Sequence, residues 1–273
     1  MRVFDQFTSP PPARLKPDLS RWQEQQLAAV WIGHATILLR VGGKTILTDP
    51  VFSNRVGIGL GLVTAGPMRL VAPALSVDQL PPIDLILLSH SHFDHLDRPS
   101  LAQLNRKTPL ITAPRMADLV HDLGFRDVTA LRWGESHTVF GIKFTAREVN
   151  HWGARIFLDA FRGYNGYLIE TAKDRVLYAG DTAYTDAFKT VDGVDLAIFG
   201  IGAYDPYVRA HATPEQVWEM VNHARATRLL PMHHSTFRLS FEPTEEPLQR
   251  LLQAAGTGMD RIVIREIGGQ WTR

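Results

Sequence analysis

The sequence predicts an α/β (α+β) protein in which strands and helices alternate around a histidine-rich loop. Apolar runs bounded by glycine, proline or aspartate are typical of buried strands, and later segments have the apolar spacing of amphipathic helices. The chain has 273 residues, of which 45% are hydrophobic, and this is ample for a buried core. The sequence contains neither an internal repeat nor a long linker. We therefore expect one domain over residues 23–273, preceded by an extended, proline-rich arm over residues 1–22.

The first elements are expected to form a sheet. Three apolar runs predict its strands, at residues 27–32, 36–41 and 44–48. Gly42 and Gly43 predict a hairpin turn between the last two strands. Residues 56–68 are uncharged and rich in glycine, which argues against a helix. We interpret them as a loop packed on the core; the alternative is an apolar surface that makes transient contact with a membrane or another lipid-like partner.

The rest of the chain alternates between strands and helices. Strands are expected at residues 83–88, 110–112, 127–133, 137–140, 142–149, 166–170, 175–178, 196–201, 229–230 and 261–266. Helices are expected at residues 99–105, 114–123, 213–224 and 248–255. The third helix begins with a capping box formed by Thr213 and Gln216, with Pro214 at the first helical position.

Four side chains that commonly bind metals follow the strand at residues 83–88: His90, His92, Asp94 and His95. Residues two apart in an extended segment point the same way, so His90 and His92 can present their imidazoles to one ion. Asp94 and His95 come after the turn and can face a second ion. Imidazole and carboxylate ligands suit zinc, and also iron or manganese. The loop therefore predicts a metal site.

Further residues of this type come just after, or at the end of, three later strands. They are His151, Asp181 and either His233 or His234. Because four separate strand ends supply these side chains, we expect the sheets to bring them to one metal centre.

The pattern His-x-His-x-Asp-His, followed by a lone His, a Gly-Asp-Thr and a final His, resembles the metallo-β-lactamase fold of di-metal hydrolases. Within that superfamily the sequence is most similar to the branch that contains the phospholipase D acting on N-acylphosphatidylethanolamines. The segments that carry this similarity are residues 31–36, 47–52, 80–84, 151–152 and 201–204, and His233 with Thr236 and Phe237. The resemblance covers the chain from about residue 22 onward. It implies a four-layer αββα sandwich, in which helices flank two mixed β-sheets.

The resemblance also implies which residues bind metal. One ion would be held by His90, His92 and His151, and a second by Asp94, His95 and His233, with Asp181 bridging the two. His233 is preferred over His234 because the family places its last ligand three residues before Thr-Phe. The chain departs from the branch at the next two positions, where His234 and Ser235 stand in place of Trp-Gly.

The charges of such a centre suggest a mechanism. Two divalent ions about 3.5–4 Å apart share a water and lower its pKa to near 7, so that hydroxide exists at working pH. This metal-bridging hydroxide would attack a phosphorus or carbonyl centre, while both ions hold the negative charge that develops. Asp94 and Asp181 are the predicted catalytic carboxylates, and Asp94 would take the proton from the water. Asp49 and Asp97 are predicted to accept hydrogen bonds from ligand histidines.

Five further residues are candidates to face the substrate: His34, Trp152, Tyr204, His211 and His234. Most have an ordinary alternative. His34 could instead be a core histidine, and Trp152 and Tyr204 could be core aromatic residues. His211 could simply precede a helix, although a helix start beside it is a natural site for an anion.

The composition narrows the possible partners. A formal charge of +1 gives no global electrostatic reason to bind nucleic acid, and the absence of cysteine excludes disulfides and thiolate ligands. The sequence has neither a signal-peptide pattern nor an apolar stretch of membrane-spanning length. We therefore expect a cytoplasmic protein that is at most peripheral to a membrane.

These observations predict a metal-dependent hydrolase with two divalent ions, zinc before iron or manganese. The leading hypothesis is a phosphodiesterase similar to phospholipase D, which acts on a small-molecule or lipid-like phosphodiester. The alternative is a lactonase or another carbonyl-directed hydrolase of the same fold. A non-enzymatic scaffold is less expected, because such relatives lose ligands and all seven are present here. The sequence does not predict an oligomeric state.

Overall fold

The computed structural model describes residues 9–61 and 63–273, with the exception of the Phe157 side chain. The strands of these residues are β1 (Leu27–Gly33), β2 (Thr36–Val41), β3 (Lys44–Thr48), β4 (Ile58–Leu60), β5 (Val63–Ala65), β6 (Leu85–Leu88), β7 (Leu110–Thr112), β8 (Val128–Ala130), β9 (Ser136–Val139), β10 (Ile142–Arg147), β11 (Gly166–Glu170), β12 (Arg175–Tyr178), β13 (Leu196–Gly200), β14 (Arg228–Met232) and β15 (Gln270–Thr272). The helices are α1 (Arg98–Leu101), α2 (Ala117–His121), α3 (Pro214–His223) and α4 (Glu246–Ala255).

The strands form two large mixed sheets and one small hairpin in the described part of the chain. The first sheet has the order β15-β1-β2-β3-β6-β7-β8, and the second has the order β14-β13-β12-β11-β10-β9. Strands β3, β6, β7 and β8 run parallel in the first sheet, as do β12, β13 and β14 in the second. Parallel neighbours end at the same edge of their sheet. One edge of the first sheet therefore carries the loops that follow β3 and β6. One edge of the second sheet carries the loops that follow β12, β13 and β14.

The two large sheets pack face to face, and helices cover their outer faces. Leu87 of β6 and Ile198 of β13 lie in the core between the sheets, whereas their chain neighbours Ile86 and Phe199 lie in the outer layers. Successive side chains of a strand face opposite sides, so both strands are buried on both faces. Ile86 belongs to the apolar cluster that includes α1 and α2, and Phe199 to the cluster that includes α3 and α4. The four layers have the order αββα, and the predicted fold class is confirmed.

Helix α3 begins where the sequence predicts. The Thr213 hydroxyl accepts a hydrogen bond from the Gln216 N–H at 3.4 Å, and Gln216 Oε1 accepts one from the Thr213 N–H at 3.0 Å. Pro214 takes the first helical position, where a backbone N–H has no helical partner. Val217 and Val221 then pack against the second sheet. Helices α1 and α2 are shorter than predicted, and no helix of the described residues is long and apolar enough to cross a membrane.

Residues 56–68 differ from the expected packed loop. Strands β4 and β5 form an antiparallel hairpin in this segment. The residues of β4 are exposed, and Ile58 and Leu60 are among the exposed large apolar side chains of the protein. Leu62 lies outside the described residues.

Residues 261–266 do not form the expected closing strand. The segment instead passes from the outer helical layer into the core between the sheets. The segment follows a 3-10 helix, Gly256–Arg261, and only Ile262 forms a single bridge, with Leu229. Ile262 packs in the outer helical layer, whereas Ile264 lies in the core between the sheets. The apolar alternation therefore reflects a change of layer. The strand that closes the first sheet is β15, which pairs with β1.

The N-terminal arm contacts the domain where it is described. Ala13 is buried in the core between the sheets, and the Pro11 carbonyl accepts a hydrogen bond from the Ala72 N–H at 2.8 Å. The Asp18 N–H donates to Gln270 Oε1 of β15 at 2.7 Å. Residues 1–8 of the predicted arm lie outside the described residues.

Candidate metal centre

The candidate ligands lie together in loops that follow strands of both sheets. In the first sheet, β6 leads into His90, His92, Asp94 and His95. In the second sheet, the loops after β10, β12 and β14 carry His151, Asp181 and His233. Because the sheets pack face to face, these loops meet at one edge of the sandwich. The structure brings together all seven side chains that the sequence predicts, in two neighbouring clusters.

The first cluster contains three imidazole nitrogens and one carboxylate oxygen. His92 Nδ1 lies 2.9 Å from His90 Nε2 and 3.3 Å from His151 Nε2. Asp181 Oδ2 lies 3.9 Å from both of those Nε2 atoms. Tetrahedral zinc with bonds near 2.0 Å would separate its ligand atoms by about 3.3 Å. The four atoms therefore surround a space of the size of one such ion.

The second cluster contains His95, His233 and Asp94, and it shares Asp181 with the first. Asp181 Oδ2 lies 3.1 Å from both His95 Nε2 and His233 Nε2. Asp94 Oδ2 lies 3.3 Å from His233 Nε2 and 3.7 Å from His95 Nε2. A single carboxylate, that of Asp181, thus faces both clusters.

The turn that carries Asp181 requires glycine at the preceding position. Gly180 has φ of +60°, in the left-handed region. A Cβ added there would lie 2.8 Å from the Asn165 carbonyl oxygen and 2.9 Å from Ser89 Cβ. The chain therefore passes close to the metal loop only because residue 180 has no side chain, and this approach places Asp181 between the clusters.

Asp49 has the predicted role of orienting a candidate ligand. Its Oδ2 accepts a hydrogen bond from His95 Nδ1 at 2.7 Å and another from the Tyr178 hydroxyl at 2.6 Å. Ser89 donates to the same carboxylate from its backbone N–H and its hydroxyl. Since Nδ1 of His95 carries this proton, Nε2 is left to face the second cluster. His151 is oriented similarly, because its Nδ1 lies 2.9 Å from the Ala210 carbonyl oxygen.

Asp97 does not have the role predicted from the sequence. Its Oδ2 accepts hydrogen bonds from the Ser53 hydroxyl at 2.6 Å and from the hydroxyl and N–H of Ser100. Asp97 is the N-cap of α1, and its carboxylate accepts hydrogen bonds from the first turn of this helix and from the loop after β3. It therefore orients the segment after the metal loop, and contacts none of the candidate ligand histidines.

The donor set fits a pair of divalent ions. The nitrogens and carboxylate oxygens of the two clusters are ligands that zinc, iron and manganese accept. Asp181 is buried, and its Oδ1 has no hydrogen-bond partner among the described residues. A buried carboxylate oxygen without a partner is costly, and a bound cation would compensate it.

The carboxylates of the centre are ionised, and two of its histidines hold protons strongly. Burial alone would raise the pKa of Asp181, but the facing His233 and His95 hold that pKa well below its ordinary value. Burial likewise opposes protonation of His233, yet Asp181 and Asp94 raise the pKa of His233 to about 9. The same two carboxylates raise the pKa of His95 well above its ordinary value, again against burial.

The other histidines of the centre are neutral near pH 7. Burial is the largest cause in each case: it lowers the pKa of His92 and of His151 to about 4. It also lowers the pKa of His34 and of His211 to about 3. Neutral imidazoles have a free lone pair, so His92 and His151 can bind a cation without first releasing a proton.

A cavity of about 400 Å³ opens beside the two clusters. Its walls combine candidate ligands with apolar side chains, and they include His92, Asp94, Asp181, His233, Val56, Pro67, Phe93, Trp152, Tyr207, His211, Leu239 and Arg155. The cavity is the space in which a substrate would reach the clusters.

Two of the five predicted substrate-side residues line this cavity. Trp152 is 55% exposed and lies edge-on to His92, with ring centroids 4.9 Å apart. His211 Nδ1 lies 3.8 Å from Asp181 Oδ2. Both positions would contact a molecule bound at the clusters.

The other three lie elsewhere. The Tyr204 hydroxyl donates to Glu246 Oε1 at 2.7 Å, and the ring is buried away from the cavity. His234 is buried against Trp31, with ring centroids 4.7 Å apart. His34 is also buried, and its Nε2 lies 2.8 Å from Asp94 Oδ2. His34 thus contacts a candidate ligand and does not line the cavity.

Sequence reasoning did not single out Arg155, Phe93 or Tyr178. Arg155 reaches the cavity because the loop after β10 folds back over the metal loop, where its Nη1 donates to the carbonyls of Ser91 and Leu96 at 2.9 and 2.6 Å. No local pattern distinguishes this arginine from the others. Tyr178 looks like an ordinary strand residue, and only the opposition of the two sheets places its hydroxyl on Asp49.

The pKa values predict that metal affinity rises with pH. Metal-free His233 keeps its proton up to about pH 9, and that proton must leave before Nε2 can bind a cation. Protonation of His95 acts in the same direction. We expect calorimetry of zinc binding to chelator-treated protein at about pH 7.5 to show proton release, as a dependence of the measured heat on the ionisation enthalpy of the buffer. Equal affinity at about pH 6 and pH 8.5 would contradict these protonation states.

Comparisons with known proteins agree with this centre. Residues 44–234 match the family described as a beta-lactamase superfamily domain. An uncharacterised protein of Mycobacterium tuberculosis is 30% identical over 251 residues, which cover 88% of this chain and 67% of the relative. The N-acyl-phosphatidylethanolamine-hydrolyzing phospholipase D 1 of Caenorhabditis elegans is 29% identical over 257 residues, which cover 85% of this chain and 71% of that protein.

A solved structure has the same fold. The crystal structure of a possible metal-dependent hydrolase from Veillonella parvula matches with a TM-score of 0.72 at 18% identity, covering 91% of this chain and 100% of that one. The family match spans more than half of the chain, and the strand order and clustered histidines are consistent with it. The chain belongs to the beta-lactamase superfamily and has the metallo-β-lactamase fold.

Proposed function

We propose that the protein is a phosphodiesterase of the phospholipase D type, which holds two divalent ions and cleaves a lipid-like phosphodiester. The observation that carries this proposal is the cavity, in which the two ligand clusters lie beside the guanidinium of Arg155 and apolar walls. The named activity of the Caenorhabditis elegans relative supports the same substrate class.

In this proposal His90, His92 and His151 hold one ion, and Asp94, His95 and His233 hold the other, with Asp181 shared. The ions, zinc before iron or manganese, would lower the pKa of a water and stabilise the negative charge that develops on the substrate. None of the described residues that line the cavity is serine, threonine or cysteine. Water is therefore the proposed nucleophile.

Side chains that line the cavity can take part in the proton transfers of this hydrolysis. Attack of water on phosphorus forms one P–O bond and breaks another, and one proton of the water must leave. Asp94 is ionised and lines the cavity, so its carboxylate can accept that proton. The alcohol that departs takes up a proton, and the products are a phosphomonoester and a free alcohol. His211 is neutral and can orient a substrate oxygen through its N–H.

Arg155 provides the charge expected for a phosphodiester site. Burial lowers the pKa of Arg155 to about 10, so the guanidinium is still charged at neutral pH. It forms no ion pair with a carboxylate among the described residues, and it lies over the Phe93 ring at 4.0 Å. A partly buried cation without a counter-ion is favourable beside an anionic ligand. A phosphodiester carries one such negative charge, whereas a lactone or simple ester carries none.

Apolar side chains around the cavity can contact the lipid part of the substrate. Val56, Pro67 and Leu239 line its walls, and Trp152 lies exposed at its side. Ile58 and Leu60 on the hairpin that continues from Val56 are exposed as well. We propose that this hairpin, within residues 56–68, makes transient contact with a membrane, as expected of a cytoplasmic protein that meets its substrate at the lipid surface.

The substrate class is tested with zinc-loaded protein and three compounds: a bis-aryl phosphodiester, an acyl homoserine lactone and a long-chain N-acyl phospholipid. We expect turnover of both phosphodiesters. Replacing the shared carboxylate in Asp181→Asn should reduce this turnover by a factor of about 10³ or more, because the loss affects both clusters. The exposed Asp127→Asn variant makes the same change of charge and should retain wild-type activity.

The same experiment also tests the alternative, a lactonase or another carbonyl-directed hydrolase. Hydrolysis of the lactone alone would show a lactonase and overturn the phosphodiesterase proposal. Full activity of Asp181→Asn with both ions bound would overturn the assignment of the shared ligand.

Arg155 is tested by Arg155→Met and Arg155→Lys. Loss of the charge in Arg155→Met should raise KM for the anionic phosphodiester by roughly 10-fold or more, since a charge-assisted hydrogen bond contributes about 1.5–3 kcal/mol. Arg155→Lys keeps the charge and should lose less. Metal content, measured by mass spectrometry, is the control for damage to the loop at Ser91. An unchanged KM in Arg155→Met would exclude a role in binding the anion.

The hairpin is tested with the Ile58→Ser and Leu60→Ser double variant. Because both side chains are exposed, the fold should tolerate the change, while the rate on phospholipid vesicles falls several-fold through weaker binding to the lipid surface. Turnover of the small soluble diester should be unaffected. Met259→Ser, at an exposed site of the helical layer, is the matched control. Equal losses on both substrates would indicate damage to folding and would contradict membrane contact.

A further inference from the structure

His34 is a buried histidine that lies beside the second cluster. It follows β1 and is 1% exposed, yet its imidazole lies among groups of the second cluster. Its ring centroid lies 4.1 Å from that of His233 and 5.4 Å from that of His95. The backbone there has φ of +54°, a left-handed conformation that residues other than glycine seldom adopt. A buried, polar side chain on such a backbone needs partners that hold it.

The backbone of His34 is fixed from three directions. The Trp31 indole N–H donates to the His34 carbonyl at 2.8 Å, and the His233 N–H donates to the same carbonyl at 3.2 Å. The His34 N–H donates to the Thr236 hydroxyl at 2.8 Å. These bonds link the end of β1 to the loop that carries the last candidate ligand. The imidazole is therefore held rigidly relative to His233.

The imidazole in turn contacts Asp94. His34 Nε2 lies 2.8 Å from Asp94 Oδ2, the same oxygen that faces His233 and His95. An ionised carboxylate can only accept hydrogen bonds, so Nε2 carries the proton and donates it. The donor holds Asp94 Oδ2 at a fixed place beside the second cluster. By contrast, no hydrogen bond among the described residues joins the His34 imidazole to the first cluster, whose atoms are grouped around His92.

We propose that His34 is a positioning residue that fixes the Asp94 carboxylate for metal binding by the second cluster. The inference deepens the proposed function and rests on its two-ion centre. It assigns the two clusters different supports: the second cluster depends on the hydrogen bond from His34, and the first cluster does not. The His34 imidazole is near enough to Asp94, His95 and His233 to be considered as a ligand with them. However, its Nε2 is engaged by Asp94 Oδ2, and Asp94, His95, His233 and the shared Asp181 already supply four protein ligand atoms. His34 is accordingly a hydrogen-bond donor to a ligand, and not a fifth ligand.

The test compares His34→Gln with His34→Met. Both side chains are unbranched and similar in length, but only glutamine can donate a hydrogen bond to Asp94. Zinc content per chain is measured in chelator-buffered zinc, and the visible absorption of the cobalt-substituted protein reports on the ligands. His121→Gln, at an exposed position of α2, is the control for a histidine replacement in general. Thermal unfolding of the metal-free proteins shows that each variant folds.

We expect wild type, His34→Gln and His121→Gln to bind two ions with similar affinity. In His34→Met, one ion should bind about 10- to 100-fold more weakly, which is typical when a partner of a metal ligand is removed, and the other should bind normally. Wild-type affinity for both ions in His34→Met would overturn the inference. Loss of the ion in His34→Gln together with a changed cobalt spectrum would also overturn it, because His34 would then be a ligand. Fewer than two ions in the wild type would instead overturn the two-ion centre itself.

Discussion

The hydrogen bonds accepted by the Asp49 carboxylate are the contacts on which the rest of the centre depends. Asp49 is fully buried directly after β3, and its donors are Ser89, His95 and Tyr178. Ser89 and His95 belong to the metal loop of the first sheet, and Tyr178 is in the second sheet. One carboxylate thus ties the loop to both sheets. A buried charge that loses such partners is strongly destabilising, so this network has to be complete in the folded protein.

A second constraint is the backbone of the site. His34, Asp49 and His233 all have positive φ, at +54°, +32° and +62°. Such a conformation costs on the order of 1–3 kcal/mol for a residue with a side chain, and it persists only where the surroundings determine it. Here the hydrogen bonds from Trp31 and to Thr236 hold the backbone of His34 in this conformation. The strain and the hydrogen bonds together give a rigid set of ligands, which is what tight binding of a metal ion requires.

The ligand clusters and the cavity have separate parts in the chemistry. In the proposed function, the clusters hold the ions that activate water. Selection among substrates falls to the residues around them. Arg155 gives the cavity a positive charge, and the hairpin β4-β5 and Trp152 give it apolar surroundings. Change of these loops could alter the substrate without disturbing the metal ligands, which lie on the ends of the sheets.

The sequence by itself determined the fold class, most strand positions and the candidate ligand set. Those features are local: period-two spacing places His90 beside His92, and a turn after an apolar strand places Asp181 at a sheet edge. The tertiary structure alone decided which distant groups meet. His34 reaches Asp94 across 60 positions, Arg155 enters the cavity, Asp97 caps a helix, and Tyr204 and His234 lie outside the cavity. The physical reason is that local spacing sets the direction of a side chain along its own strand, whereas its partners depend on how the two sheets and their loops pack.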